Sequence, residues 1–414
     1  MSLSDRERAL CASIAARDAE LRATLAEHVA IPTGRSHAPG IAKYGGVIGD
    51  RLRALGAVER SAPGTPRPGW LSLPDDVPAS VNGADGAEAP AVRIFGHRGD
   101  GGPRILIAGH LDTVHDPFGP FDRMTVSADG TTAVGPGVVD MKGGILVAVT
   151  ALEALHAAGI SSAWTFALNA DEETGSFTSI DILKDLAREH DIGVAVEPAL
   201  ADGALAVERM GSGQFKIEVF GRSAHVGRSF REGVSAVTAL ARILLEVDAI
   251  ADPAGGRIVC AGPLRGGIVT NAVPDYAAAW GNMRFRDGPA GDEIVRRLES
   301  FATDSAAMPR VVVHHVRNRP AKPLTPAVAA YAEAVRAAGE DLGQTLPFAS
   351  TGGVCDGNIL QSAGLPTLDT LGVRGGNLHR ADEWVDLSSL VERAQLLAVV
   401  LCRFATNPPA WSGR

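Results

Sequence analysis

A chain of 414 residues is too long for one ordinary hydrophobic core, so two domains are expected. With 45% hydrophobic and 21% charged residues it has the composition of a globular protein. A formal net charge of -9 and the lack of any Lys/Arg run exclude nucleic acid or an anionic membrane as the main partner.

The first residues have no basic end followed by an apolar core of signal-peptide length, and no later run is long and apolar enough to span a bilayer. A cytoplasmic protein is therefore expected. Cys11, Cys260, Cys355 and Cys402 are far apart and form no Cys-x-x-Cys pair, which predicts reduced thiols. Any metal must then be held by oxygen and nitrogen.

In chain order, residues 4 to 30 read as one helix with Leu10, Ile14, Leu21, Leu25 and Val29 on a stripe, and a second helix covers 41 to 56. Residues 61 to 90, rich in Pro, Gly, Ala and Asp, read as a long surface excursion without chemistry. From 91 the pattern is alternating α/β, with strands at 91–95, 104–109, 163–169 and 193–197 and an apolar helix at 142–158. Between 213 and 320 the rhythm changes to an α+β unit: strand 214–220, helix 234–247, strands 257–263 and 276–286, helix 292–303 and strand 310–316. The first pattern then resumes, with a helix at 327–341, a strand-like run at 365–371 and a closing helix at 388–404. The expected division is a discontinuous catalytic domain, 1–209 and 322–414, holding an inserted domain, 210–321.

The chemistry starts in Arg104 to His115. An apolar strand ends at Gly109 and delivers His110 and Asp112 at an i, i+2 spacing, on one side of an extended backbone. A carboxylate beside a metal-ligating imidazole has a use in orienting it. In open α/β sheets ligands collect beyond the carboxyl ends of the strands, where Asp171, Glu172, Glu173 and Glu197 also fall.

Asp140 lies between glycine-rich bends ahead of an apolar helix, where it is either an N-cap or a bridging ligand. The acids 171–173 are either a solvated acidic loop or a division of labour, in which one side chain holds a metal while its neighbour stays free as a base. Glu197 behind an apolar strand and His379 in a Gly-rich loop could each simply be surface residues. Together His110, Asp140, Glu173, Glu197 and His379 can supply two divalent ions with a bridging carboxylate plus one imidazole and one carboxylate each. Such mixed ligation suits zinc, with Co2+ or Mn2+ as substitutes.

The sequence resembles the dinuclear zinc aminoacylase and carboxypeptidase family, which includes glutamate carboxypeptidase, acetylornithine deacetylase and succinyl-diaminopimelate desuccinylase. The resemblance runs from about 90 to 405. It rests on Gly-His110-Leu-Asp112-Thr-Val, Gly-Pro-Gly-Val-Val-Asp140-Met-Lys-Gly-Gly, Asp171-Glu172-Glu173-Thr-Gly-Ser, Val-Glu197-Pro, Gly-Arg-Ser-Ala-His225-Val-Gly and His379-Arg-Ala-Asp-Glu-Trp. It implies an α/β catalytic domain, with a mixed central sheet flanked by helices, and an inserted α+β lid that forms a homodimer. It also implies that His110, Asp140 and Glu197 hold one zinc, and Asp140, Glu173 and His379 the other, with Asp112 orienting His110. Glu172 would be the general base toward a water bridging the two metals, and His225 would reach a neighbouring active site to stabilise the oxyanion.

Asn271 and Arg284 resemble positions gripping a substrate carboxylate, which a guanidinium fork binds bidentately, and Gly352 and Gly353 line the pocket. The implied reaction is hydrolysis of a peptide or amide bond next to a free carboxylate, in a small molecule or short peptide, nearest to glutamate carboxypeptidase. The alternatives are N-acyl amino acid deacylation and a non-catalytic binding homologue.

Overall fold

A computed structural model describes residues 2–34, 37–72, 90–100, 102–200 and 202–410. Its centre is a six-stranded mixed sheet in the order Val58–Ala62, Val92–His97, Trp164–Asn169, Ile105–His110, Ile192–Ala195 and Thr367–Leu368. The last four run parallel and the first two pair antiparallel. Every residue of Ile105–His110 is buried, as expected for a strand covered on both faces.

One face carries helices Gly143–Ala157 and Ser388–Thr406, whose Ile145, Val149, Leu397 and Val400 join Ile107 and Phe166 in the largest core cluster. The other carries Ile180–Glu189 and Asp356–Ser362, with Leu183, Leu186 and Ile359 against Leu106 and Ala195. Helix Gly143–Ala157 is apolar nearly all round, which suits a helix enclosed by its neighbours.

The expected helix over 4–30 is two helices, Asp5–Ala15 and Asp18–Val29, the first opened by a reciprocal Ser4–Glu7 cap. Leu10, Ile14, Leu21 and Leu25 all stay buried across the break, so the apolar stripe carries no sign of it. Arg17, at the break, pairs with Glu153 at 2.8 Å and with Glu20. Strand Val58–Ala62 runs into the first two residues of the stretch read as an excursion; it is mostly exposed, so no apolar alternation announced it. Strand Leu205–Arg209 with its parallel partner Phe348–Thr351, and helix Asp356–Ser362, were also not anticipated. Residues 73–89 of the expected excursion lie outside the described residues.

The segment from Gly211 to Arg319 forms an antiparallel sheet in the order Arg257–Gly266, Tyr276–Phe285, Gly211–Phe220 and Arg310–Arg319. Helices Ala236–Asp248 and Gly288–Glu299 cover one face, enclosing Phe215, Ile217, Val219, Leu240, Ala279 and Ile294 in a core of their own. The second helix starts four residues before its expected start because Asp287 caps it, accepting from Ala290 N at 2.9 Å.

The chain enters and leaves this unit through two adjacent segments, where Arg209 and Lys322 exchange backbone hydrogen bonds at 2.9 and 3.0 Å. Asp369 ties both side chains, at 2.9 Å to Arg209 and 3.2 Å to Lys322, in a buried cluster. Among the described residues no helix is long and apolar enough to cross a membrane.

Candidate metal centre and cleft

Parallel pairing decides which residues meet. His110 stands opposite Asn169 in the adjacent strand, so the following turn brings Asp171 to Glu173 to the same sheet edge. Ala195 pairs with Ala108, and Val196 N donates to Ala108 O at 3.2 Å, which carries Glu197 to the level of His110. Three strand ends thus converge, as open α/β sheets favour.

His110 Nε2 lies 3.1 Å from Asp140 Oδ1, and His379 Nε2 lies 3.5 Å from Asp140 Oδ2 and 3.2 Å from Glu173 Oε2. Asp140 therefore stands between two imidazoles, one oxygen toward each. Donor atoms of His110, Asp140 and Glu173 fall within 4.8 Å of one another. Glu197 is buried beside them, near enough that burial and the Glu172 carboxylate raise its pKa while His110 opposes the rise. The two His and three carboxylates suit a divalent ion chemically, since each is a nitrogen or oxygen donor and the buried acids repel one another without a cation.

Asp140 does not cap the helix that follows it; Lys142 occupies the N-cap position and makes no side-chain cap. The loop is held instead by Glu383, which accepts from the N–H groups of Gly137, Val139 and Asp140 at 3.0, 2.9 and 3.1 Å. Its second oxygen also meets His115 Nε2 at 2.6 Å. Gly137 has φ +69°, a conformation that glycine adopts without steric cost.

The three consecutive acids have three different partners. Asp171 turns inward and accepts from Thr178 N and Oγ1 at 2.7 and 2.6 Å, closing its own loop. Glu172 meets Arg319 Nη2 at 2.5 Å, and Glu173 meets His379. Burial pushes the Glu172 carboxyl up to about 8, against the pull of the Arg319 guanidinium. His379 is pushed up to about 10 by its hydrogen bonds to Asp140 and Glu173.

Burial works against a charge on His110, but hydrogen bonds to Asp112 and Asp140 outweigh it and hold the ring well above the usual imidazole range. Asp112 touches His110 first through its backbone carbonyl, 2.9 Å from Nδ1, with the carboxylate at 3.5 Å. That carboxylate accepts from Glu172 N at 3.3 Å and Glu173 N at 3.0 Å, so it positions the acidic turn as well as the imidazole.

A cleft of about 690 Å³ opens over this cluster, lined by Asp112, Glu173 and His379 on one side and Gln214, Asn282 and Arg284 on another. Among the described residues Arg284 Nη1 has no hydrogen-bond partner, leaving a donor for a ligand. Gly352 and Gly353 do not line the cleft; Gly353 O accepts from Arg209 Nη1 at 3.1 Å. Nor do His225 and Asn271, which are exposed on the inserted unit, with Val226 N donating to Asn271 O at 3.1 Å.

Sequence reasoning missed Glu383 and Arg319. Glu383 falls within the quoted His379-Arg-Ala-Asp-Glu-Trp run, where it could have been found; nothing local marks Arg319.

A mixed sheet with acids and imidazoles gathered at the carboxyl ends of its parallel strands is the architecture of a metal-dependent hydrolase. The chain belongs to peptidase family M20/M25/M40, whose model matches residues 106–403. It is 29% identical over 392 residues to carboxypeptidase G2 of Pseudomonas sp. (strain RS-16), covering 91% of this chain and 87% of that one. It is 28% identical over 388 residues to succinyl-diaminopimelate desuccinylase of Methylobacterium radiotolerans, covering 86% and 90%. Among solved structures, aminopeptidase PepT of Bacillus cereus shares the fold at TM-score 0.69 and 21% identity, covering 94% of this chain and 99% of that one. A tripeptidase of Staphylococcus aureus does so at 0.72 and 19%, with the same coverage. The protein is accordingly a hydrolytic enzyme of a metallopeptidase family.

Proposed function

We propose that the protein is a two-zinc carboxypeptidase that hydrolyses a peptide or amide bond adjacent to a free carboxylate in a small molecule or short peptide. The observation that carries this reading is the placement of Glu172: buried, next to Glu173, and bonded to no metal-ligand candidate. Such a carboxylate has a use as a general base, taking the proton from water and passing it to the leaving amine.

In this reading His110, Asp140 and Glu197 hold one ion, and Asp140, Glu173 and His379 the other. Bound zinc would acidify the attacking water and polarise the scissile carbonyl. Asp112 orients His110 and steadies the acidic turn. Arg284, with its unpartnered Nη1, receives the substrate carboxylate.

We divide the chain into a catalytic domain, 1–209 and 322–414, and a lid, 210–321. A homodimer through the lid is supported by apolar exposure on its edge: Ile258 and Leu264 on strand Arg257–Gly266, and Leu245 on helix Ala236–Asp248. His225 and Asn271, exposed and away from the cleft, then serve the partner's site. Free cysteines support a reducing, cytoplasmic location.

The test is metal content per chain together with hydrolysis of a panel: dipeptides, N-acyl amino acids and their C-terminal amides. About two zinc ions per chain and cleavage only of free-carboxylate substrates are expected. Equal cleavage of the amides would remove the carboxylate requirement, and inertness of the zinc-loaded enzyme would leave a binding homologue. The likeness to desuccinylases supports N-acyl amino acid deacylation as a second reading, and faster cleavage of the N-acyl amino acids than of the dipeptides would establish it.

A further inference from the structure

The closing helix Ser388–Thr406 carries a charge that its surroundings leave uncompensated. Arg393 is the largest fully buried side chain among the described residues, 1% exposed, and its Nη2 donates to Gly203 O at 3.0 Å. Among the described residues its Nε and Nη1 have no acceptor. The adjacent carboxylate, Glu392, is taken by Arg374, which Asp386 also holds at 2.6 Å. Burial first, and then the charge of Arg374, push the Arg393 guanidinium down to about 10 against the pull of Glu392. Ordered water can fill the hydrogen bonds of such a group but cannot neutralise it.

Arg393 lines a cavity of about 370 Å³ that shares no lining residue with the cleft over the metal-ligand cluster. Its walls come from the turn at Asp202 and Gly203, from residues 342–346 beyond helix Pro326–Asp341, and from Arg374 and the closing helix. Gly203 has φ +79°, and a Cβ there would meet Arg393 Nη2 at 3.0 Å, so glycine lets the turn close on the guanidinium.

The other walls have the opposite need. Gln344 Nε2 donates to Glu392 O at 2.9 Å, while its Oε1 is buried and has no donor among the described residues. Asp202 adds an exposed carboxylate, which accepts from Ala204 N at 3.0 Å through one oxygen. Residues 342–344 also stand at the carboxyl end of helix Pro326–Asp341, the negative end of its dipole. One cavity thus holds an unpaired cation and a set of acceptors that lack a donor.

We propose that this cavity binds a free α-amino acid, with its carboxylate on Arg393 and its ammonium between Gln344 Oε1 and the Asp202 carboxylate. A zwitterion satisfies both needs at once. A bare anion would face Asp202 and Glu392 with no donor to offer them, and a bare cation would leave Arg393 unpaired. The volume suits so small a ligand, being near the lower end of the roughly 300–1,000 Å³ usual for such pockets. Because Arg393 is shielded, the carboxylate reaches it as the glycine turn gives way, exchanging Gly203 O for a charged acceptor. The site stands apart from the metal centre and does not depend on the hydrolase reading; where that reading holds, the ligand is of the class the reaction releases.

The test is calorimetric titration of the full-length protein, with the metal it is purified with, using L-alanine, propionate and L-alaninamide as probes. The parent carries Arg284→Ala, so that capture of a carboxylate in the cleft does not mask the second site. L-Alanine is expected to bind about 10-fold or more tightly than either analogue, each of which lacks one of its charges. In the same background Arg393→Met weakens L-alanine about 10- to 100-fold, the scale of a charge-assisted hydrogen bond. Asp202→Asn weakens it about 2- to 5-fold and leaves propionate unchanged, the scale of an exposed ion pair. Asp202 is on the surface, so this variant reads the site even if Arg393→Met fails to fold. The proposal is overturned if L-alanine does not bind, if propionate binds as tightly, or if neither substitution changes the affinity for L-alanine. Failure of the hydrolysis panel leaves all of these outcomes as they are.

Discussion

Arg319 grips Glu172 across the junction of the two units: its Nη2 donates to the Glu172 carboxylate at 2.5 Å and to the carbonyl of the same residue at 2.8 Å. A third bond, to Ser176 Oγ at 2.9 Å, fixes the far side of the acidic turn. The proposed base is therefore set by a residue of the strand leaving the inserted unit, 147 positions away. Arg319→Ala should destabilise the protein by about 3–5 kcal/mol, because it strands a buried carboxylate, and lower kcat by about 100-fold through loss of orientation. Denaturant unfolding and steady-state kinetics read the two effects. A variant as stable and as active as the wild type would show the pair to be incidental.

Glu172→Ala should retain its metal and lose roughly two to four orders of magnitude in kcat, since the base goes and the ligands stay. Metal analysis beside turnover decides it: wild-type turnover would mean another group takes the proton.

Glu383→Gln keeps the size of the side chain but discards the charge that three N–H groups of the Asp140 loop point at. We expect about 10- to 100-fold weaker metal binding with the fold preserved, as for other groups that position a ligand. Competition with a chromophoric chelator measures it, and unchanged affinity would assign Glu383 to the fold alone.

Removal of metal should lower the melting temperature, because Asp140, Glu173 and Glu197 repel one another in a buried site. Zinc restored to about 100 times its Kd should return about 2.7 kcal/mol. Calorimetry before and after chelation checks this; identical melting curves would mean that the cluster binds no ion in the folded state.

The acid limb of stability carries a contribution from His28, buried against Tyr44 and held down to about 3 by desolvation. The unfolded imidazole takes up a proton below about 6.5 while the folded one does not until about 3. The unfolded state therefore binds more protons in that window, and stability falls as pH drops from 6.5 toward 3. His28→Leu should flatten this part of the profile, moving the acid midpoint to lower pH; an unmoved midpoint would place the acid sensitivity elsewhere.

The residue types at His110, Asp140, Glu172, Glu173, Glu197 and His379 could be picked out before any coordinates, for a chemical reason. Metal ligation and proton transfer demand particular side chains, and strand-length apolar runs that end in such residues bring them to one sheet edge. Strand Val58–Ala62 was hidden because it is exposed and carries no alternation, and the break at Arg17 because the apolar stripe continues through it.

The sequence by itself thus determined the α/β class, the second α+β unit and the candidate ligand set. These follow from local periodicity and from chemistry that tolerates few substitutes. Only the tertiary structure decided that Glu383 holds Asp140 from 243 positions away, that Arg319 grips Glu172, and that Trp70 lies on His314. Such contacts join segments with no shared periodicity. Their partners are chosen by packing, where each buried polar group must find whatever donor or acceptor the fold brings within about 3 Å.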